Sequence, residues 1–398
     1  MNYDVIVIGA GIVGLASAYK ILLAKPNIKL LILEKENDVA MHQTGNNSGV
    51  IHSGIYYKPG SLKASNCING YNQLLKFCDA NGIKYELCGK VIVALNEKEL
   101  PALDNIFIRG NENGLKNLKY LTKEEVNEIE PHVTCIKGIQ VPQTGIVDYK
   151  QVSKKLLELI KAKGGDAKFN EKVVNIKKVN AKNIVTTDKH EYESNYVVSC
   201  GGLYSDKLAS FASSETNFKI IPFRGEYYKI KKEKQYLVKN LIYPVPDPAF
   251  PFLGVHFTRM IEGGIEAGPN AVFAFAKEGY TKSQINLGEL FSSLTYPGFL
   301  KVAVKYWRTG MGEMYRSFSK SAFTHALQQL IPEITEDDLE AGGAGVRAQA
   351  CSKDGKLIDD FLIIENERML NVCNAPSPAA TSSLSIGDYI KDRVIQHF

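Results

Sequence analysis

Asp4-Val-Ile-Val-Ile-Gly-Ala-Gly-Ile-Val-Gly14, then a helical stretch through Ala16, Ala18 and Leu22 that stops before Pro26, then Lys29-Leu-Leu-Ile-Leu-Glu34, decides the fold. Val5 to Ile8 is apolar and β-branched on both faces, as a parallel strand buried on both sides must be. A GxGxxG on its own is a weak signal. Here it follows a strand and opens a helix, and Glu34 stands twenty residues past Gly14 at the end of the next strand. That context reads as a dinucleotide-binding βαβ unit. Gly9 allows the tight turn, Gly11 lets backbone approach a pyrophosphate, and Gly14 lets helix and strand pack closely. With Ile12 and Val13 they bring the unpaired N–H groups of a helix N-terminus to the phosphates. Glu34, with Lys35 beside it, is expected at the ribose.

The surrounding chain fits an ordinary globular protein. It has 398 residues, a hydrophobic fraction of 44%, a charged fraction of 23% and a net charge of +5. That charge suits anionic small molecules and is too weak and dispersed to argue for nucleic acid. Only 8 of the 48 basic residues are Arg, so each Arg is a candidate fork for a carboxylate. Seven scattered cysteines without a CxxC pair give no metal-ligand spacing and no disulfide framework, which points to a reducing compartment. No metal site is expected. The first strand leaves no room for a leader, and no run of 18 apolar residues occurs. The expectation is a cytoplasmic protein, with peripheral contact on the inner membrane face as the alternative.

Further along, Glu36 to Gly60 is a Gly/Asn/Ser-rich loop, Leu62 to Asn81 a helix and Lys90 to Ala94 a strand. Thr122 caps a short helix, Asp148 opens another that stops at Gly164-Gly165, and Tyr196 to Cys200 is a buried strand turned by Gly201-Gly202. Phe218 to Ala322 is aromatic-rich, Pro-punctuated and strand-like, with no βαβ rhythm. The end returns to the first style, with strand Met369 to Cys373 and a terminal helix. The fold class is α/β (α+β overall): a discontinuous Rossmann-like domain (1–85, 146–212 and 340–398) with an inserted β-rich substrate domain (86–145 and 213–339).

There is no second GxGxxG for a separate nicotinamide domain, and the paired cysteines of disulfide reductases are missing. The dinucleotide is then NAD as co-substrate or FAD reduced by the substrate, and the loop after Glu34 favours FAD. This loop, His42-Gln-Thr-Gly-Asn-Asn-Ser-Gly-Val-Ile-His-Ser-Gly-Ile-Tyr-Tyr57 followed by Lys58-Pro-Gly-Ser-Leu-Lys-Ala64, resembles the L-2-hydroxyglutarate dehydrogenases/oxidases, members of the D-amino-acid-oxidase-like FAD superfamily. So do Thr144–Tyr149, Pro222–Glu226, Ile242–Asp247, Pro251–Thr258, Gly345–Gln349 and Asn374–Ser383. Asn46 departs from the pattern, standing where similar sequences often carry His.

The resemblance implies an FAD domain, a β-rich substrate domain and oxidation of L-2-hydroxyglutarate to 2-oxoglutarate by hydride transfer to flavin N5. Electrons then pass to quinone, oxygen or another carrier. It adds Thr44, Asn47, Ser48, Gly49, Val50, Val173, Gly201, Gly202, Ser377, Pro378, Ala379 and Thr381 to the cofactor site. Non-covalent FAD is expected over attachment through His52 or a cysteine. His52, in the loop beside the flavin, and His256, in an apolar strand, are rival acceptors of the hydroxyl proton. Each has a bland alternative, a loop-structuring or a core histidine. Arg347 is the expected clamp on the C1 carboxylate, against the alternative of a buried ion pair. Arg224, Tyr243, Arg259 and Lys58 compete for the second carboxylate, with Glu226 placed to pair with Arg224 instead. Ser377 or Thr381 is expected to cap the terminal helix. Gly298 to Arg308, which holds the only Trp, reads as an amphipathic helix covering the substrate domain, or as a membrane-surface contact. Rival substrates are an amino acid or glycerol 3-phosphate, and a flavoprotein acting on tRNA is a more distant alternative.

Overall fold

The computed structural model describes residues 1–212, 217–247 and 252–398. Pro251, the first residue of one quoted motif, and residue 213, an expected domain boundary, lie outside them.

An eight-stranded sheet carries the cofactor half. Asn2–Ile8 pairs in parallel with Leu30–Leu33 on one side and with Glu191–Ser199 on the other. Met369–Asn374 adds a further parallel strand against Val197, Val198 and Ser199. The first strand buries both faces, as its composition requires. Val5 and Val7 join a cluster with Leu15, Leu156 and Ile390. Ile6 and Ile8 join Leu31, Leu33 and Val197 on the opposite face. Each such side chain contributes roughly 1.5–3 kcal/mol of transfer free energy.

Local signals set the helix ends. Leu62–Asn81 starts at Ser61, whose hydroxyl accepts from Ala64 N–H, and stops at Gly82 with φ +64°. Thr122 and Glu125 form a capping box, and the Asp148 carboxylate accepts from Lys150 N–H at the head of Tyr149–Ala162.

The second sheet has nine strands. Its spine is Phe218–Ile230, and Lys90–Ala94 enters it parallel to Leu241–Pro244. The strand Leu339–Ser352, grouped in the sequence reading with the Rossmann-like segment 340–398, pairs instead along nearly the whole length of Phe218–Ile230. The chain rejoins the first sheet only at Leu362–Asn366. A second difference lies between Leu287 and Gln328, where a stretch read as strand-like up to Ala322, apart from the amphipathic helix expected over Gly298 to Arg308, forms four helices. Asn286 caps the first and Pro297 opens the second. The aromatic residues that suggested strands sit on helix faces.

Candidate active site

A cavity of about 1080 Å³ runs from the glycine turn to the second sheet, with walls drawn from both. At its first end the glycines are sterically obligatory. Gly9 has φ +102°, and a Cβ there would stand 2.5 Å from the Cys200 carbonyl oxygen. A Cβ on Gly14 would stand 2.1 Å from the Gly9 carbonyl oxygen. The helix Ile12–Ala24 begins at Gly11 without a side-chain cap. One of its N–H groups, on Ile12, donates to Thr44 Oγ1 at 3.1 Å.

Glu34 accepts from the N–H groups of Ala10 (2.7 Å) and Glu36 (3.0 Å). Those bonds fix the carboxylate and leave lone pairs for a ribose hydroxyl. Lys35 lines the cavity, but its ammonium pairs with Glu36 and with Glu278 at 2.6 Å. Asn47 holds the loop by donating to the carbonyls of Gln43 and Thr44 and accepting from Gly49 N–H. Asn46 does similar work, donating to the carbonyls of Met41 and His42. Ser48, Val50, Val173, Gly201 and Gly202 line the wall. Gly49 and Thr381 do not; they stand behind it.

The opposite wall is the start of the helix Ala379–Val394, where Ser377, Pro378 and Ala379 line the cavity. Neither expected cap forms. Ser377 Oγ meets His52 Nε2 at 3.2 Å, while Thr381 Oγ1 accepts from His52 N–H at 3.1 Å and meets the Tyr149 hydroxyl at 2.8 Å. No side chain caps this helix, so a second helix N-terminus opens onto the same cavity. Two uncapped N-termini, a cradle that excludes Cβ atoms and a fixed carboxylate fit FAD: phosphates at the first, electron-rich ring edge at the second.

The far end is lined by His52, Tyr227, Tyr243, Phe252, His256 and Arg347. Arg347 stands opposite Phe223 in the paired strands, with its guanidinium 5.1 Å from the Phe252 ring centroid. Among the described residues no carboxylate lies within 4.0 Å of it. Burial pushes its pKa below the ordinary value, with Tyr227 and the more distant Glu313 carboxylate acting in the opposite direction. Among the described residues it is a cation without an ion-pair partner.

His256 opens the strand His256–Arg259, its ring centroid 4.1 Å from that of Tyr243. Its Nδ1 lies 2.9 Å from the Gly254 carbonyl, which can only accept, so the proton sits on Nδ1 and Nε2 carries the free lone pair. Burial, with Arg347 and Lys90 nearby, pushes its pKa down to about 4. Burial, then Lys90, His256 and Lys63, push that of His52 down to about 3. Both imidazoles are neutral at ordinary pH.

Three of the four candidates for the second carboxylate are elsewhere. Arg224 is 4% exposed and pairs with Glu226 at 2.9 Å, donating also to the carbonyls of Gly279 and Thr281. Its two-residue spacing from Glu226 puts both on one strand face, while Gly225 and Tyr227 face the cavity. Arg259 makes a bidentate pair with Glu86, at 3.0 and 2.6 Å. Lys58 is exposed on the loop surface. Tyr243 alone lines the cavity. Sequence reasoning missed Tyr227, Phe252 and Lys63, all in the wall. Strand alternation from Gly225 would have found Tyr227; nothing local marks Lys63.

The family described as FAD dependent oxidoreductase matches residues 4–393. The chain is 57% identical over 399 residues to an L-2-hydroxyglutarate dehydrogenase of Indibacter alkaliphilus, covering 100% of both chains. It is 43% identical to that of Escherichia coli K12, covering 98% of this chain and 93% of the relative. The chain belongs to the L-2-hydroxyglutarate dehydrogenase family of FAD dependent oxidoreductases. Solved structures agree on the fold. An L-alpha-glycerophosphate oxidase from Mycoplasma pneumoniae with FAD bound superposes with a TM-score of 0.81 at 23% identity, covering 100% of this chain and 95% of that one. A glycine oxidase from Geobacillus kaustophilus gives 0.75 at 16%, covering 99% and 95%. The family is FAD-dependent, and the cavity described above has the shape and donors for that cofactor.

Proposed function

We propose that the protein oxidises L-2-hydroxyglutarate to 2-oxoglutarate, and that Arg347 and His256 perform the chain's part of the reaction. The observation that carries the reading is a partly buried guanidinium in the same wall as an imidazole, where among the described residues no carboxylate pairs with the first and no hydrogen bond reaches Nε2 of the second. Arg347 holds the C1 carboxylate by a charge-assisted, two-pronged contact and so orients carbon 2. His256 Nε2 accepts the hydroxyl proton as the carbonyl forms, and Gly254 holds the ring in the required tautomer. The Tyr243 and Phe252 rings keep water from the reacting carbon. Bound FAD supplies the acceptor for the hydrogen and electron pair leaving carbon 2.

The test is anaerobic mixing of the purified yellow protein with L-2-hydroxyglutarate, read on the flavin absorbance band. Rapid bleaching is expected, with the D-enantiomer, glycerol 3-phosphate and amino acids inert. Bleaching by one of those instead, with the L-acid inert, would sink the substrate assignment.

For the second half-reaction, the helices Pro297–Lys305 and Trp307–Phe318 support a membrane-borne acceptor such as a quinone. No helix among the described residues is long and apolar enough to cross a membrane. The inner face of this pair, Phe299 and Val302, packs on Ile221 and Phe223, as a covering helix should. The outer face differs from that expectation: Val304 is 76% exposed, Trp307 55% and Phe318 69%, with Leu300, Met311 and Tyr315 also exposed. Lys301, Lys305 and Arg308 stand exposed among them. Apolar side chains flanked by cations suit an anionic bilayer surface. Vesicles containing anionic lipid are expected to carry the protein upward in flotation, with neutral vesicles and a Val304→Glu/Phe318→Glu variant failing to do so. Equal flotation of that variant would remove this face from consideration.

A further inference from the structure

We propose that Lys90 makes the enzyme select dicarboxylates: an unpaired ammonium held one ring away from the cavity supplies the counter-charge for the substrate's second carboxylate. The inference rests on the substrate reading above and deepens it.

Lys90 opens the strand Lys90–Ala94 and is 3% exposed. Its ammonium lies 4.5 Å from the Tyr56 ring centroid and 4.7 Å from that of Tyr243. Among the described residues no carboxylate lies within 4.0 Å of Nζ and no hydrogen bond reaches it. Even the neighbouring Tyr56 hydroxyl has no partner. Two ring faces offset only part of the cost of burying an ammonium, so the fold carries a positive charge that it does not itself neutralise. The Tyr243 ring that shields it lines the cavity and stacks on His256.

The substrate carries two negative charges, and Arg347 answers one. The cations expected for the second are engaged or outside, Arg224 with Glu226, Arg259 with Glu86 and Lys58 on the surface, and Lys63 in the cavity wall pairs with Asp359 at 2.8 Å. Lys90 differs from these in being buried without an ion pair among the described residues and in lying against the Tyr243 ring that packs on His256. Its action is through space and through the Tyr243 wall, which makes it a positioning residue.

Burial pushes its amine down to about 7. The groups facing it do not titrate in that range. His52 and His256 are pushed down to about 3 and about 4, Cys67 up to about 12, and Tyr56 and Tyr243 well above their usual value. Selectivity for two charges is therefore greatest well below pH 7, where Lys90 is an ammonium, and declines as pH rises through about 7.

The experiment compares reduction of the holoenzyme by L-2-hydroxyglutarate and by the monocarboxylate L-2-hydroxybutyrate, from about pH 6 to about pH 9, in wild type, Lys90→Met and Lys90→Arg. Lys90→Met is expected to lower kcat/KM for the dicarboxylate about tenfold or more, chiefly through KM, and to leave the monocarboxylate unchanged. Lys90→Arg should retain most of the preference. The wild-type preference should fall with rising pH, and that of Lys90→Met should be flat. Equal losses for both substrates would place the ammonium's effect on the histidines or on packing and overturn the proposal, as would an unchanged ratio. If Lys90→Met does not fold, a pH-independent preference in wild type together with a lost preference in Lys90→Arg overturns it. A wild type that reacts with the monocarboxylate and not with 2-hydroxyglutarate overturns the substrate reading as well; a normal wild type with an unaffected Lys90→Met overturns the role of Lys90 alone.

Discussion

Replacing Arg347 by Ala is expected to lower kcat/KM for L-2-hydroxyglutarate by roughly 10² to 10³, in both kcat and KM. The size follows from the setting. The guanidinium is partly buried over Phe252 and has no carboxylate within 4.0 Å among the described residues, so the substrate's carboxylate is the anion it pairs with, at a dielectric below that of bulk water. Losing the clamp removes binding energy, which raises KM. It also frees carbon 2 to rotate out of line, which lowers kcat. Arg347→Lys keeps a charge and loses the fork, so it should recover KM in part and kcat hardly at all. Removing a partly desolvated cation that has no ion-pair partner among the described residues also relieves a folding cost, so Arg347→Ala should be no less stable than wild type to heat. Steady-state kinetics and a thermal melt on the same preparation separate the two effects. A variant with unchanged kcat/KM would take Arg347 out of the site. One that melts well below wild type would mean that the residue has a structural partner.

The parts of this picture legible in the sequence are those whose cause is local. Gly9 and Gly14 are required by atoms of the same βαβ unit and the strand that returns beside it. The helix Leu62–Asn81 is bracketed by Ser61 and Gly82, and Thr122 and Asp148 announce their helices in the same way. Charge pairing was not legible in this sense. Arg259 finds Glu86 and Lys63 finds Asp359 across the fold, and no spacing rule foretells that these cations are neutralised while Arg347 is left bare. Arg224 is the instructive middle case. Its partner is two residues away, and strand alternation puts Gly225 and Tyr227 on the face opposite Arg224, the face that lines the cavity. The burial of Lys90 between Tyr56 and Tyr243 depends on the parallel pairing of Lys90–Ala94 with Leu241–Pro244, a long-range event that composition cannot register. Of the helices after Leu287 only the one over Gly298 to Arg308 is legible as amphipathic; the aromatic content around it reads as strand, although Asn286 and Pro297 are both helix openers.

His256→Gln is expected to lower kcat by roughly 10² to 10⁴, the usual worth of a positioned general base, while His52→Gln costs much less. The difference rests on hydrogen bonds. Gly254 commits the Nδ1 proton of His256 and leaves Nε2 as the acceptor, whereas Nε2 of His52 is shared with Ser377 and its backbone N–H is tied to Thr381. His52 thus reads as the residue that fixes the loop against the terminal helix. The pH profile is an independent check on the same assignment. A base must be unprotonated to accept, and both histidines are held neutral down to about 4 and about 3 by burial and by the cations around them. Activity should therefore show no step near 6.5, the ordinary histidine value, and should fall only in the acid range where His256 gains a proton. The profile is best read with the monocarboxylate substrate, so that the titration of Lys90 does not intrude. A step near 6.5 would mean that the base is a solvated imidazole, unlike either residue in this cavity. A larger loss in His52→Gln than in His256→Gln would move the base across the cavity, leaving His256 as the partner of Tyr243. With both variants at wild-type rates, the proton would have to leave by a group other than these two, and Tyr227, which burial pushes up to about 12, is too weak an acid at ordinary pH to be present as the base.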